Sequence, residues 1–132
     1  MCLGTDSHAV IDALEEARAV ELDERLGSLQ RGTHRPAELL TMATTAGHRS
    51  LGWPEAGRLE PGALADLTTV RLDSVRLAGF DRDAADAAVV FGATAADVDH
   101  VVVGGRVVVR GGEHVRVDVA GALDRSIRGA WA

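Results

Sequence analysis

The sequence predicts a mixed α/β chain of the α+β kind, with helices first, a small antiparallel sheet after them and one more helix at the end. Three observations predict it. Asp12, followed three residues later by Glu15, opens a run without Gly or Pro that lasts until Gly27, which is a helix-start signature with room for a helix. Turn formers then gather between Gly47 and Pro61-Gly62, and the character of the chain changes at about residue 56. Beyond that point two β-branched runs, Val101-Val102-Val103 and Arg106 to Arg110, flank Gly104-Gly105, the pattern of a hairpin with a tight turn.

The elements follow in order. Residues 1–11 are short and mixed, with Gly4-Thr5-Asp6-Ser7 in the middle. Asp12 is the expected N-cap of a first helix running to about Leu26 and stopping at Gly27. Its apolar residues Leu14, Ala17, Val20, Leu22 and Leu26 make no single stripe, so the helix is expected to touch neighbours on more than one side. Glu15, Glu16, Glu21, Asp23 and Glu24 read as a solvated face with Arg18 and Arg25 as partners. Pro36 opens a second helix at its first position, and Gly47 is expected to close it, with Leu39, Leu40 and Ala43 buried and His48 placed as a cation at the helix end. Leu64 to Leu72 reads as a strand centred on Leu67 to Val70, with Asp66 bonding backbone amides locally. An Ala-rich helix fits residues 84–91, and the hairpin follows, with His100 and His114 beside its strands facing solvent. Gly111-Gly112 turns the chain into Val115–Val119, whose alternation predicts a third short strand. Leu123, Ile127 and Ala130 predict a terminal amphipathic helix. The expected division is 1–55, 56–119 and 120–132.

Composition narrows the function. The chain has 132 residues, 46% of them hydrophobic, enough for a real core. A complete (β/α)8 barrel needs about 250 residues. The 14 basic residues, all Arg, face 20 acidic ones, which argues against nucleic acid and anionic membrane as partners. Without Lys there is neither a P-loop nor a Schiff-base lysine. Cys2 is the single cysteine, so neither an intramolecular disulfide nor a Cys-based zinc site can form. No secretory signal and no long apolar run is apparent, so a cytoplasmic address is the expectation. Aromatic residues are 3% of the chain and Tyr is absent, which disfavours base-stacking platforms.

The chemistry is sparse. GxGxxG, GxSxG and HExxH are absent, and the five histidines are scattered singly with no HxH pair, so a self-contained metal site has little support. The constellation to weigh is Gly4-Thr5-Asp6-Ser7-His8. In a barrel, a carboxylate at the carboxyl end of a strand faces the active site, where it can bind a metal and take a proton from bound water. Alternatively, Asp6 or Ser7 makes an Asx or Ser turn before the helix. His8 is either a substrate contact or a structural residue beside the turn.

GTDSHAVID, EEARAVELDERL, PAELLTMATTAGHRSLGW, AGRLEPGALADLTTV and VVVGGRVVVRGG together resemble the C-terminal part of the amidohydrolase superfamily. Gly57 to Leu67 and Val101 to Val109 are similar to segments of the small β-sandwich beside that family's barrel. Within the superfamily, Asp6-Ser7-His8 and the helix with Glu15, Glu16, Arg18 and Glu21 look most like N-formimidoyl-L-glutamate deiminase of histidine degradation. Imidazolonepropionase and the guanine, cytosine and triazine deaminases resemble the chain less closely. The resemblance implies a fragment holding the last barrel strand, its helices and part of the β-sandwich. It implies hydrolysis of a small linear amidine at a divalent metal, usually zinc, with release of ammonia. It assigns metal ligation and proton relay to Asp6, and ranks Ser7 and His8 second as substrate contacts. The family's other metal ligands lie upstream of the matched segments, so this chain alone is expected to bind no zinc and to be inactive. A truncated gene, a misplaced start or a split enzyme would account for that, and a non-catalytic remnant or interaction module is the remaining alternative. Exposed barrel-facing surface would make the fragment self-associate as a homo-oligomer.

Overall fold

Asp12 caps the first helix, α1 (Ala13–Ser28), as its position predicts. Its Oδ1 accepts from the amides of Leu14 (2.9 Å) and Glu15 (3.4 Å). Its Oδ2 accepts from the Ala95 amide at 2.8 Å, so the same side chain ties the start of α1 to a turn far along the sequence. In the computed structural model, residues 1–7 and 9–131 are described. Helix α1 does not stop at Gly27. It continues to Ser28 and ends at Leu29, which takes the left-handed conformation at φ 58° while its amide donates to the Arg25 carbonyl at 2.9 Å. The hydrogen bond selects the cap position here, at a cost of about 1 kcal/mol for a non-glycine residue.

Glu21 departs from the solvated face expected of it. It is fully buried, because the polar loop after α1 folds back over it. Its Oε1 accepts from the Gly32 amide (2.7 Å) and from Arg25 Nε (2.8 Å), and its Oε2 accepts from the His34 amide (2.7 Å). The bond from Arg25, then that from the His34 amide, hold its carboxyl down at about 2 against burial, which pushes the other way. Arg25 in turn lies over the Phe91 ring, 5.5 Å from its centroid.

The single helix expected from Pro36 to Gly47 is two: α2 (Pro36–Ala43) and α3 (Thr45–Ser50), with Gly47 inside the second. The break falls at Thr44, whose hydroxyl donates to the Leu40 carbonyl at 2.7 Å. The His48 amide (3.0 Å) and its ring Nδ1 (2.9 Å) both converge on the Thr44 carbonyl, so this ring nitrogen carries the proton. Gly57 packs directly against the break. A Cβ there would stand 2.7 Å from the Thr44 carbonyl carbon and 2.8 Å from the Thr45 nitrogen, and its φ is +80°. We expect Gly57→Ala to cost about 2–3 kcal/mol in urea unfolding, since both the conformation and the space are denied to a side chain.

Helix α4 (Ala85–Gly92) follows a short 3-10 turn and supplies the third wall of the core. Ala17 of α1, Leu39 of α2 and Val90 of α4 are fully buried together, with Leu3, Val20, Leu40, Met42 and Phe91 packed around them. Arg18 reaches across from α1, donating to the carbonyls of Val90 (3.1 Å) and Ala93 (2.6 Å) at the end of α4. It thereby satisfies acceptors that the helix cannot satisfy itself.

The sheet has four antiparallel strands in the order β1 (Leu67–Val70), β2 (Val98–Val103), β3 (Arg106–Arg110) and β4 (Glu113–His114). The predicted hairpin is present with Val103 opposite Arg106, and Gly104 and Gly105 supply φ of 55° and 75° for the turn. Asp66 bonds a distant amide and not a local one: its Oδ1 accepts from Gly104 at 2.6 Å, pinning the hairpin turn beside β1. His100 is half-buried rather than solvent-facing, with its Nδ1 2.8 Å from Asp99 Oδ2.

Val115–Val119 is not a strand. After β4 the ring Nδ1 of His114 accepts from the amides of Arg116 (3.2 Å) and Val117 (3.1 Å). Those amides are thereby turned away from ladder pairing, and the alternating apolar pattern has no strand to join. The last helix, α5 (Val119–Ala130), starts at Asp118, whose Oδ1 accepts from Gly121 at 3.0 Å.

Candidate functional site

The expected site residues lie in the segment that leads into α1. Asp6 and Ser7 occupy an exposed turn, and Asp6 takes a left-handed backbone at φ 41°. Asp and Asn visit that conformation more readily than other side chains, at about 1 kcal/mol. The Ser7 hydroxyl donates to Asp6 Oδ1 at 3.2 Å. His8, the third residue of the constellation, lies outside the described residues. Residues 1–5, expected to end a strand, pair with no strand among the described residues; the Leu3 amide instead donates to the Met42 carbonyl at 3.4 Å.

Behind the turn lies an open cleft of about 300 Å³ whose lining includes Leu3, Thr5, Ile11, Glu16, Met42 and His48. The Asp6 side chain does not line it. The cleft is mostly apolar, and its wall is formed by the start of α1, the end of α2 and α3.

A metal centre can be tested on the donors present. Among the described residues no three His, Cys, Asp or Glu side chains gather where they could hold an ion. A protein zinc ion takes about four ligands. Asp6 is accessible and carries one carboxylate, so it fits as a single ligand of a centre completed elsewhere and does not form one with its neighbours.

The carboxylates that the fold does perturb serve architecture. Asp97 is fully buried, yet its sequence gave a readable sign: Thr94 precedes it by three residues, the spacing of a capping box. Its Oδ1 accepts from Arg76 Nη2 (2.7 Å), and its Oδ2 accepts from Arg76 Nε (2.8 Å), the Thr94 amide (2.9 Å) and the Thr94 hydroxyl (3.3 Å). The forked bond from Arg76, foremost, holds the carboxyl well below the usual range, and the pair raises the arginine in return. Neither Asp97 nor Glu21 reaches the Asp6 turn.

Known proteins resemble this chain over nearly its whole length. The chain is 36% identical over 126 residues to the 5-methylthioadenosine/S-adenosylhomocysteine deaminase of Natronomonas pharaonis, covering 93% of this chain and 28% of that protein. It is 30% identical over 127 residues to the 5'-deoxyadenosine deaminase of Methanopyrus kandleri, covering 94% of this chain and 29% of that one. The chain thus spans less than a third of the length of these relatives. Its fold superposes on a zinc-bound adenosine deaminase from Xanthomonas campestris with a TM-score of 0.84 at 22% identity, over 95% of this chain and 28% of that one. It superposes on the zinc complex of atrazine chlorohydrolase from Arthrobacter aurescens with a TM-score of 0.76 at 27% identity, over 87% of this chain and 25% of that one. These neighbours establish the helices and small antiparallel sheet as a portion of the amidohydrolase fold. The profile of the amidohydrolase family matches residues 1–108, from the Asp6 turn through the hairpin, and the chain belongs to that family.

Proposed function

We propose that this chain is the C-terminal part of a metal-dependent aminohydrolase that releases ammonia from an adenosine-type nucleoside. The observation that carries the reading is the 36% identity to the N. pharaonis deaminase across nearly the whole chain. In this reading residues 1–55 end a barrel, 56–119 contribute to a β-sandwich and 120–132 form the terminal helix.

Asp6 is the residue this chain brings to the chemistry, as one metal ligand and as the acceptor of a proton on a carboxylate oxygen. A divalent metal, when bound, supplies a water whose pKa is lowered toward neutrality. The net reaction adds water at the carbon bearing the amino group, breaks the C–N bond and releases ammonia. Ser7, through its bond to Asp6 Oδ1, orients the carboxylate, and Ser7 and His8 are the second-rank substrate contacts.

Hydrolysis of N-formimidoyl-L-glutamate is the second reading, supported by the similarity of the Asp6 segment and of the α1 pattern. That pattern is largely consumed by architecture here. Arg18 caps α4 and Glu21 holds the 32–34 loop, so neither is free to report on substrate.

The test is expression of the locus with its upstream DNA, followed by ammonia-release assays on 5-methylthioadenosine, S-adenosylhomocysteine, N-formimidoyl-L-glutamate and guanine. We expect an in-frame upstream HxH pair and turnover of the two nucleosides, with no turnover and no stoichiometric zinc for the 132-residue chain alone. Ammonia from formimidoylglutamate alone would transfer the assignment to the second reading. Turnover by the isolated chain would refute the account of its site.

A further inference from the structure

Asp12 uses both carboxylate oxygens, and the two have different partners. Oδ1 accepts from the amides of Leu14 and Glu15 and caps α1. Oδ2 accepts at 2.8 Å from the amide of Ala95, 83 residues away in sequence. Capping needs one oxygen, and Asn or Ser caps a helix about as well as Asp. The bond to Ala95 is the one that calls for a second acceptor on the same side chain.

The far end of that bond is firmly held. Ala95 opens the 3-10 turn Ala95–Asp97, whose last residue is fully buried. The Asp97 carboxylate fastens this turn to the Thr94 amide and to both arms of the Arg76 fork. Arg18 grips the carbonyls of Val90 and Ala93 just before it. The near end leads to Asp6, six residues before Asp12. The Ser7 bond to Asp6 lies within the exposed turn, so it shapes the turn without placing it against the rest of the protein. Upstream of the turn, the Leu3 amide reaches the Met42 carbonyl at 3.4 Å, near the upper limit for a hydrogen bond, and Leu3 packs on the core. The Asp6 turn thus hangs between Leu3 and Asp12, and the shorter hydrogen bond is the one at Asp12.

We propose that Asp12 is a positioning residue: its bond to Ala95 fixes where the Asp6 carboxylate stands relative to the part of the chain that carries the sheet. The proposal rests on the reading of Asp6 as metal ligand and proton acceptor. Metal ligands tolerate about 0.2 Å of misplacement. Six residues of unanchored chain span up to about 20 Å. A carboxylate on such a tether needs a fixed end close by, and Asp12 acts on the chemistry only through Asp6.

Two substitutions break the same bond from opposite ends. Asp12→Asn keeps one oxygen for the cap and turns an NH2 group toward the Ala95 amide. Ala95→Pro removes the donor and leaves Asp12 intact. Ala95 is the first residue of its turn, and Thr94 before it is extended at φ −134° and ψ 174°, so a proline is accommodated. In NMR relaxation on the 132-residue chain, the amide order parameters of Asp6 and Ser7 should fall in both variants from about 0.8 to below about 0.6, with helix content unchanged. The catalytic readout is a chimera carrying this chain in place of the matching segment of the N. pharaonis deaminase. There, kcat on 5-methylthioadenosine should fall about 10- to 100-fold with KM within about 2-fold of the parent chimera. The double variant should lose no more than the worse single one, because the same bond is lost once. Lowered melting with the order parameters and kcat unchanged would make Asp12 a helix cap only and overturn the proposal. Additive losses in the double variant would overturn it too. A parent chimera without turnover would count against the function assigned to Asp6, whereas the relaxation data, which need no activity, decide the tether by themselves.

Discussion

Replacing Asp97 by alanine should lower the melting temperature of this chain by about 15 °C. The residue joins three pieces of the chain. Its carboxylate takes both arms of the Arg76 fork and caps Thr94, while its carbonyl accepts from the Arg71 amide at 2.8 Å. The 71–80 segment, the 3-10 turn before β2 and the end of β1 therefore meet at one side chain. Truncation leaves the Thr94 amide without an acceptor and strips Arg76 of its partner. Asp97→Asn should fall between the two proteins, because its amide nitrogen would face a guanidinium donor. The pH dependence has a definite sign. Both Asp97 and Glu21 have carboxyls depressed in the folded state, from ordinary values of 3.8 and 4.5. Their contribution is complete above those values and is lost as pH falls through the folded ones, which for Glu21 is about 2. Thermal melts of the parent chain should thus decline steadily below about pH 4.5, and Asp97→Ala should flatten the lower part of that decline. A drop under 5 °C at neutral pH would mean that solvent replaces the fork readily.

What could be read in the sequence was whatever short-range chemistry decides. Gly104-Gly105 announces a hairpin because two consecutive positive φ angles are cheap at a Gly-Gly pair between β-branched runs, and Asp12 announces a helix because its carboxylate reaches the first free amides. The errors share another cause. Gly27 and Gly47 are plausible stops, but Leu29 and Thr44 end the helices because of the bonds they make. Val115 to Val119 alternates correctly and still forms no strand, since His114 diverts the amides that would pair. Glu21 looks like one of five surface acids until a loop eleven to thirteen residues on closes over it. The family was legible in the Asp6 segment and the hairpin, and the match over residues 1–108 bears it out, whereas the role given to Asp6 is a proposal. One carboxylate on an exposed turn defines no cavity, and among the described residues no three His, Cys, Asp or Glu side chains gather where they could hold an ion.

Asp6→Asn should abolish catalysis without disturbing the fold, by about 1,000-fold in turnover. The vehicle is a chimera in which this chain replaces the matching 126-residue segment of the N. pharaonis deaminase, assayed for ammonia release from 5-methylthioadenosine and for bound zinc. Asparagine tolerates the left-handed turn as well as aspartate does, and the side chain is exposed, so melting should not move. What changes is the charge: an amide cannot accept and hold a proton near neutrality and is a poor ligand for a hard-to-soft borderline cation. Asp6→Gly sharpens the contrast. It removes the backbone cost at φ 41°, so stability should hold or rise slightly while activity disappears. Ser7→Ala should cost less than about 10-fold, since it removes one orienting hydrogen bond and leaves the carboxylate in place. If the folded, zinc-loaded Asn variant kept a tenth or more of the parent turnover, the carboxylate would be a turn residue and nothing else, and the chemistry assigned to this segment would have to come from another part of the enzyme.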